Sequence, residues 1–284
     1  MQSPPARAGG ARLAGAIKRG VNFLGVILLT YLGLLAVTFF IGRVMPIDPV
    51  LAVVGDRAPE HVVQRVREEM GLNKPLYTQF GIYLKKVATG DFGTSVLTSN
   101  PVMVDIRRTF PATIELATLG IIIGAGLGIP LGVWAAVRRG GLVDQIVRVM
   151  GLVGYSVPIF WLGLMGLVLF YAKLGWIAGP GRIDVAFEYS VTLESGFLLL
   201  DTARQGQWDA FRNVLSHLIL PAALLGYFSL AYISRMTRSF MLNELAQEYV
   251  VAARAKGLSE TRIIWRHALR NAMVPLVTVV ALSY

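Results

Sequence analysis

Residues Leu116–Val137 read LATLGIIIGAGLGIPLGVWAAV, 22 positions without a charged side chain. About 20 predominantly apolar residues in helical geometry cover the roughly 30 Å hydrocarbon layer of a bilayer, where a helix satisfies its backbone polar groups internally. The stretch therefore predicts a transmembrane helix. Gly120, Gly124, Gly128 and Gly132 recur at every fourth position and share one helical face. Such a smooth stripe lets a second backbone approach closely, because packing rather than hydrophobicity drives helix association in lipid. The helix it receives belongs either to this chain or to another.

Three more stretches outward from this one qualify as spans: Val21–Gly42, Val149–Ala172 and Asn213–Ser234, the last with His217 as its titratable group. A fifth apolar segment runs from Asn271 to Tyr284, and Val277–Leu282 carries no stop signal, so an incomplete fifth span and a fragment of a longer protein are expected. The whole chain of 284 residues agrees, with 55% hydrophobic and 15% charged residues and a mean hydropathy of +0.59. An ordinary soluble domain has about 25% charged residues. The expected fold class is an all-α integral membrane protein, a polytopic helical bundle. Pro130, Pro158 and Pro221 each remove a backbone hydrogen bond and predict kinks or breaks in their helices. Kinked, glycine-lined helices suit a cavity that opens and closes, and also a rigid bundle.

Basic residues set the orientation, since Lys and Arg are retained on the cytoplasmic side. Segments 1–20, 138–148 and 235–270 hold 14 basic and 4 acidic residues, whereas 43–115 and 173–212 hold 13 of each. All of the net charge of +10 thus falls on one side, which predicts a cytoplasmic N-terminus and places the basic tail 1–20 against anionic lipid rather than nucleic acid. A secretory signal peptide is the competing reading of the first apolar stretch, which lacks an A-x-A-like cleavage site at its end. Residues 43–109 form a periplasmic region with two amphipathic helical patterns, Pro59–Met70 and Pro75–Val87, followed by turn residues at Gly90–Ser95. It reads either as a helical cap on the membrane or as a lid or docking surface. In the region 173–212 the alternation over Val185–Leu200 predicts a short hairpin.

Several chemistries drop out. Zero cysteines remove disulfides, thiol catalysis and cysteine metal sites, and His61, His217 and His267 stand at no metal-ligand spacing. No G-x-x-x-x-G-K-[ST] sequence exists, so any ATP that drives the protein is bound by another polypeptide. Glu115, beside Pro111-Ala112-Thr113, reads either as a helix-end group or as part of a translocation path.

Arg235–Arg270, RMTRSFMLNELAQEYVVAARAKGLSETRIIWRHALR, is the most informative stretch. Glu244–Lys256 is rich in helix formers, Gly257 suits a left-handed helix end, and Ser259 suits the cap of a second helix. Ala252, Ala253 and Ala255 leave a nearly bare surface beside the turn. Two short helices at a glycine form a knob that a partner's closure can push; an ordinary amphipathic surface helix is the other reading.

This loop resembles the EAA loop of type I ABC-importer permeases, in which E-A-A-x3-G is followed by nine residues and I-x-L-P. Val251-Ala252-Ala253 occupies E-A-A and Gly257 the Gly, while His267, Leu269 and Arg270 fall at I, L and P, so the Glu, Ile and Pro are absent. The wording A-R-A-K-G-L-S is typical of the dipeptide, oligopeptide and nickel branch. Met45–Pro49, Phe110–Leu116 and Gly154–Gly163 resemble its B-type permease in the same order. The resemblance implies a bacterial inner-membrane permease with domain boundaries near 110–284, spans at 110–137, 149–172, 213–234 and 271–284, and a coupling loop at 235–270. It implies a docking role for Val251, Ala252, Ala253, Arg254, Ala255, Lys256, Gly257, Leu258 and Ser259, and makes Glu115, Tyr155, Ser156 and Pro158 candidates for a translocation path. Implied partners are a second permease subunit, two ABC ATPase subunits that hold ATP and Mg, and a periplasmic or lipid-anchored solute-binding protein; the chain itself is expected to bind no cofactor and to catalyse nothing. Short peptides lead the expected substrates, followed by nickel chelates and opines. A gradient-driven carrier or channel, and a membrane scaffold, are the rival readings.

Overall fold

The structure, a computed structural model, describes residues 8–44, 49–55, 57–95 and 97–284. It divides into two compact units, Met1–Ile106 and Arg107–Tyr284. In the first, α1 (Ala8–Val44) carries the first apolar stretch, and Ile17–Gly42 has a mean hydropathy of 2.5. Its large apolar side chains from Phe23 to Ile41 are mostly exposed, as a lipid-facing helix requires, while Phe39 is buried with its ring 5.3 Å from Phe80 and 5.6 Å from Tyr83. Short helix α2 (Pro49–Val54) precedes α3 (Glu60–Glu69) and α4 (Leu76–Ala88), which follow the two amphipathic patterns. Val63 is buried and Arg65, Glu68 and Glu69 are exposed. The turn between α3 and α4 is closed by Gln79, whose amide donates to the carbonyls of Leu72 and Lys74 at 3.1 and 2.7 Å. The segment 45–48, within the stretch Met45–Pro49 that resembles the permease branch, lies outside the described residues.

Helix α5 (Val102–Val137) leads into the second unit. There follow α6 (Leu142–Ser156), α7 (Ile159–Gly166) continuing as a π-turn over Leu167–Lys173, short helices α8 (Val185–Glu188) and α9 (Leu198–Arg204), and the long α10 (Trp208–Leu245). After α11 (Glu248–Ala255) the chain stays helical from α12 (Glu260–Arg262) through a π-segment, Ile263–Ala268, to α13 (Leu269–Ser283).

The glycine stripe packs within the chain. A Cβ built at Gly120 would stand 2.9 Å from the Cβ of Leu225, at Gly124 2.4 Å from that of Ser229, and at Gly132 2.5 Å from the Cβ of Thr237. Gly226 answers from the other side, 2.7 Å from Ile123. The numbers rise together, so α5 and α10 run parallel with their backbones close. Helix α13 runs antiparallel to α10: Leu276 and Val279 pack with Ile233, and Ala268 and Ala272 with Met241, Val133 and Ala136. These three helices form the core of the unit.

Four features qualify the sequence pattern, the first of them the break expected at Pro158. The apolar stretch 149–172 is not one straight span: Leu142–Gly154 and Ile159–Lys173 meet at 97°. Pro158 cannot donate and pushes Val157 out of the helical region, to φ −102° and ψ 124°, so the helix ends there. Pro130 and Pro221 lie inside α5 and α10, which run on through them; Pro130 stands between Gly128 and Gly132, where the α10 backbone comes close. The expected hairpin over 185–200 is absent, and the segment forms α8 and α9 instead; among the described residues the β pairing is a lone antiparallel bridge, Thr94 with Pro101. The last helix also starts far earlier than Asn271, at Glu260.

Candidate functional site

The segment joining α10 to α13 projects as a hinged pair of helices. Helix α11 ends in a Schellman closure around Gly257: the Gly257 N–H donates to the carbonyl of Arg254 at 2.9 Å and the Leu258 N–H to that of Ala253 at 3.2 Å. Gly257 has φ +77°, a left-handed conformation that glycine adopts without steric cost. Ser259 occupies the first position before α12 with extended geometry, but its side chain makes no cap hydrogen bond. The turn is stapled instead by Arg254 and Glu260, with Nε to Oε1 at 2.7 Å and Nη2 to Oε2 at 3.2 Å. That pairing lowers the Glu260 pKa and raises that of Arg254.

Anchoring and presentation are divided between faces. Val250 and Ile263 are fully buried, each contributing about 1.5–3 kcal/mol if taken from water. Val251, Ala252, Arg254, Ala255, Lys256, Gly257 and Ser259 are exposed, with Ala253 and Leu258 half-buried. The result is a bare alanine surface held at a fixed angle by two buried aliphatic side chains and one ion pair.

The same end of the bundle holds a charged lock. Asp144, fully buried, accepts the Gly140 N–H at 2.9 Å and pairs with Arg148 at 2.5 Å and with Arg238 of α10, whose Nη2 lies at 3.0 Å. It ties α6 to α10 just before the hinged segment. Higher in the same pair of helices, Tyr227 donates to the Met150 carbonyl at 3.0 Å.

Glu115 stands at the opposite end of the bundle. It is buried, accepts the Leu199 N–H at 2.8 Å and pairs with Arg182 at 3.3 Å; Arg182 also donates to the Gly196 carbonyl at 3.1 Å. These bonds hold the segment 181–199 on α5. His217, also buried, bonds the Asn213 carbonyl through Nδ1 at 2.9 Å and approaches Asp184 through Nε2 at 3.4 Å. Ser156 and Pro158 lie exposed at the bend between α6 and α7, away from Glu115's bonding partners, and of Tyr155 the backbone alone is described. The geometry therefore brings the nine loop residues together as one surface, while Glu115 and the 155–158 bend are not bonded to each other. Sequence reasoning missed Arg182, Asp201 and Arg238. Only the Asp144–Arg148 spacing, one helical turn, carried a signal.

A glycine-packed helical bundle with a bent span, a charged lock and an exposed helix–glycine–helix projection is the build of a polytopic membrane transport subunit. Residues 128–284 match the family of binding-protein-dependent transport system inner membrane components, and residues 17–117 match the N-terminal region described for such membrane components. The chain belongs to this family and is a multi-pass inner-membrane permease subunit of a multi-component ABC transport system. It is 41% identical over 257 residues to the probable D,D-dipeptide transport system permease protein DdpB of Escherichia coli (strain K12), covering 90% of this chain and 75% of that protein. It is also 41% identical over 261 residues to the di/tripeptide transport system permease protein DppB of Pseudomonas aeruginosa (strain UCBPP-PA14), covering 92% and 77%. The dipeptide transport system permease protein DppB of Escherichia coli (strain K12) is 42% identical over 265 residues, covering 92% and 77%.

Proposed function

We propose that the chain imports dipeptides and related short peptides into the cytoplasm by alternating access, powered by ATP hydrolysis in separate subunits. The observation that carries this reading is the exposed, Schellman-closed projection at 248–259, whose bare alanines offer a partner a close seat and whose buried Val250 and Ile263 connect it to the α10–α13 core. On this reading two ABC ATPases dock there and hold ATP and Mg, a second permease completes the pathway, and a periplasmic or lipid-anchored solute-binding protein delivers cargo. The chain has no catalytic task and binds no cofactor. The N-terminus is cytoplasmic, in line with the basic excess of 1–20, 138–148 and 235–270. In unit two, 138–148 and 235–270 lie at one end of the bundle and 173–207 at the other, which supports that division. The peptide reading rests on the similarity to peptide permeases.

An ATPase can bias the bundle only by binding its two states unequally, so closing on the projection must favour one arrangement of α10 and α13. The test is uptake of a labelled dipeptide into proteoliposomes holding the whole importer. Uptake that requires ATP and the binding protein supports the reading. Uptake that persists with neither makes the chain a gradient-driven carrier or channel.

A further inference from the structure

At the α5 end that carries Glu115, the segment 181–198 and the first turns of the second unit enclose a cavity of about 350 Å³, lined by Arg107, Arg108, Arg182, Glu188, Glu194 and Ser195 among others. Small-molecule sites span roughly 300–1,000 Å³. One wall is rigid by construction. The carboxylate of Asp201 accepts the backbone N–H groups of Glu194, Ser195 and Gly196 at 3.1–3.2 Å and the Ser195 hydroxyl at 2.6 Å. Gly196, with φ +83°, is wedged against Pro111 so closely that a Cβ there would stand 2.8 Å from its ring. Arg182 is fixed between Glu115 and the Gly196 carbonyl.

The charges facing this wall are not used up. Arg182 is neutralised by Glu115, but Arg107 and Arg108 on α5, and Glu188 and Glu194 of the 181–198 segment, form no ion pair among the described residues. Two free guanidinium groups and two free carboxylates line one small cavity without meeting each other. That is the charge pattern of a zwitterion whose ends are separated by a short backbone: a terminal carboxylate for the arginines, which bind it through paired N–H groups, and a terminal ammonium for the glutamates. An acidic protein surface would leave Glu188 and Glu194 facing like charge.

We propose that this cavity is a binding site for small zwitterionic peptides, a way-station on the permease itself. The inference rests on the peptide reading above. It is tested by equilibrium binding of radiolabelled Ala-Ala to the complete importer in nanodiscs, with no solute-binding protein present. Wild type binds Ala-Ala, and binding weakens about tenfold or more for the C-terminal amide, for N-acetyl-Ala-Ala and for Arg107→Gln/Arg108→Gln, since each removes a charge-assisted contact. Arg107→Lys/Arg108→Lys, which keeps the charge but loses the paired geometry, falls between and shows that the site still folds. Equal binding of Ala-Ala by wild type and the Gln pair, or equal binding of Ala-Ala and its amide, overturns the proposal. So does a Gln pair that binds Ala-Ala normally but loses affinity for the loaded binding protein, because the arginines are then a protein-docking contact. ATP-dependent Ala-Ala uptake, measured separately, decides the peptide reading on its own.

Discussion

Adding one methyl group to Gly124 tests the packing that organises the second unit. A Cβ there would lie 2.4 Å from the Cβ of Ser229, 3.1 Å from the Leu230 nitrogen and 3.2 Å from the Ser229 carbonyl carbon. Ordinary van der Waals contact begins at 3.4 Å, so α5 and α10 must separate by about 1 Å at the crossing, and none of the three atoms is the end of a flexible side chain. Overpacking of this kind costs about 1–3 kcal/mol. Gly126, two positions on in the same helix, is exposed with nothing within 4 Å of its Cβ, so Gly126→Ala removes helix-interior glycine at no steric cost and gains about 0.5–1 kcal/mol. The two variants should therefore differ by about 1.5–4 kcal/mol, at least about tenfold in the unfolding equilibrium. Reversible unfolding in mixed micelles, followed by tryptophan fluorescence, reads this difference. Equal stabilities, or a more stable Gly124→Ala, would refute the close-packed stripe.

Three other perturbations address the hinge, the lock and the wall. A Cβ at Gly257 meets no atom within 4 Å, so the main cost of Gly257→Val is the positive φ, and it should lower peptide uptake per ATP hydrolysed while Gly257→Asn, which tolerates that conformation, retains more; unchanged coupling in the Val variant counts against the hinge. Arg238→Met leaves Asp144 buried with only the half-exposed Arg148 and should destabilise the subunit by up to about 3 kcal/mol in the same micelle assay; an effect within error would show that the lock is ornamental. Burial disfavours charge on Asp201, but its bonds from Ser195, Glu194 and Gly196 outweigh that and hold its pKa below the usual value. Its stabilisation of the 194–196 turn is thus fully present above about pH 4 and lost as pH falls through the lowered pKa, so amide protection factors there should drop in acid for wild type and stay low at every pH in Asp201→Asn. Equal protection in the two proteins would overturn this assignment.

The spans and the knob were legible because each is written in local terms. Uncharged length marks a crossing, four glycines at i+4 spacing mark a close-packed face, and a glycine after a helix-forming run marks a left-handed end. What the chain order hides is which distant groups meet. The stripe on α5 did not say that its partner was α10, about a hundred residues on. Arg182 and Glu115, and Arg238 and Asp144, are separated by 67 and 94 positions, and no spacing rule joins them. Proline misled in a different way. Removal of a hydrogen bond is the same at Pro130, Pro158 and Pro221, yet of the three only Pro158 ends its helix. The alternation over 185–200 shows the limit of period counting on short apolar runs, since that stretch folds into two short helices joined by turns.

The chain contains no cysteine, so one introduced at Ala252 is a unique chemical handle on the exposed face of the hinged segment. A short bifunctional cross-linker on that thiol, in the assembled importer, should capture the ATPase subunit, with a yield that changes when ATP is bound. A cysteine at Tyr189, which is 92% exposed at the other end of the bundle, should not capture it. Cross-linking of the ATPase from position 189 and not from 252 would contradict the account.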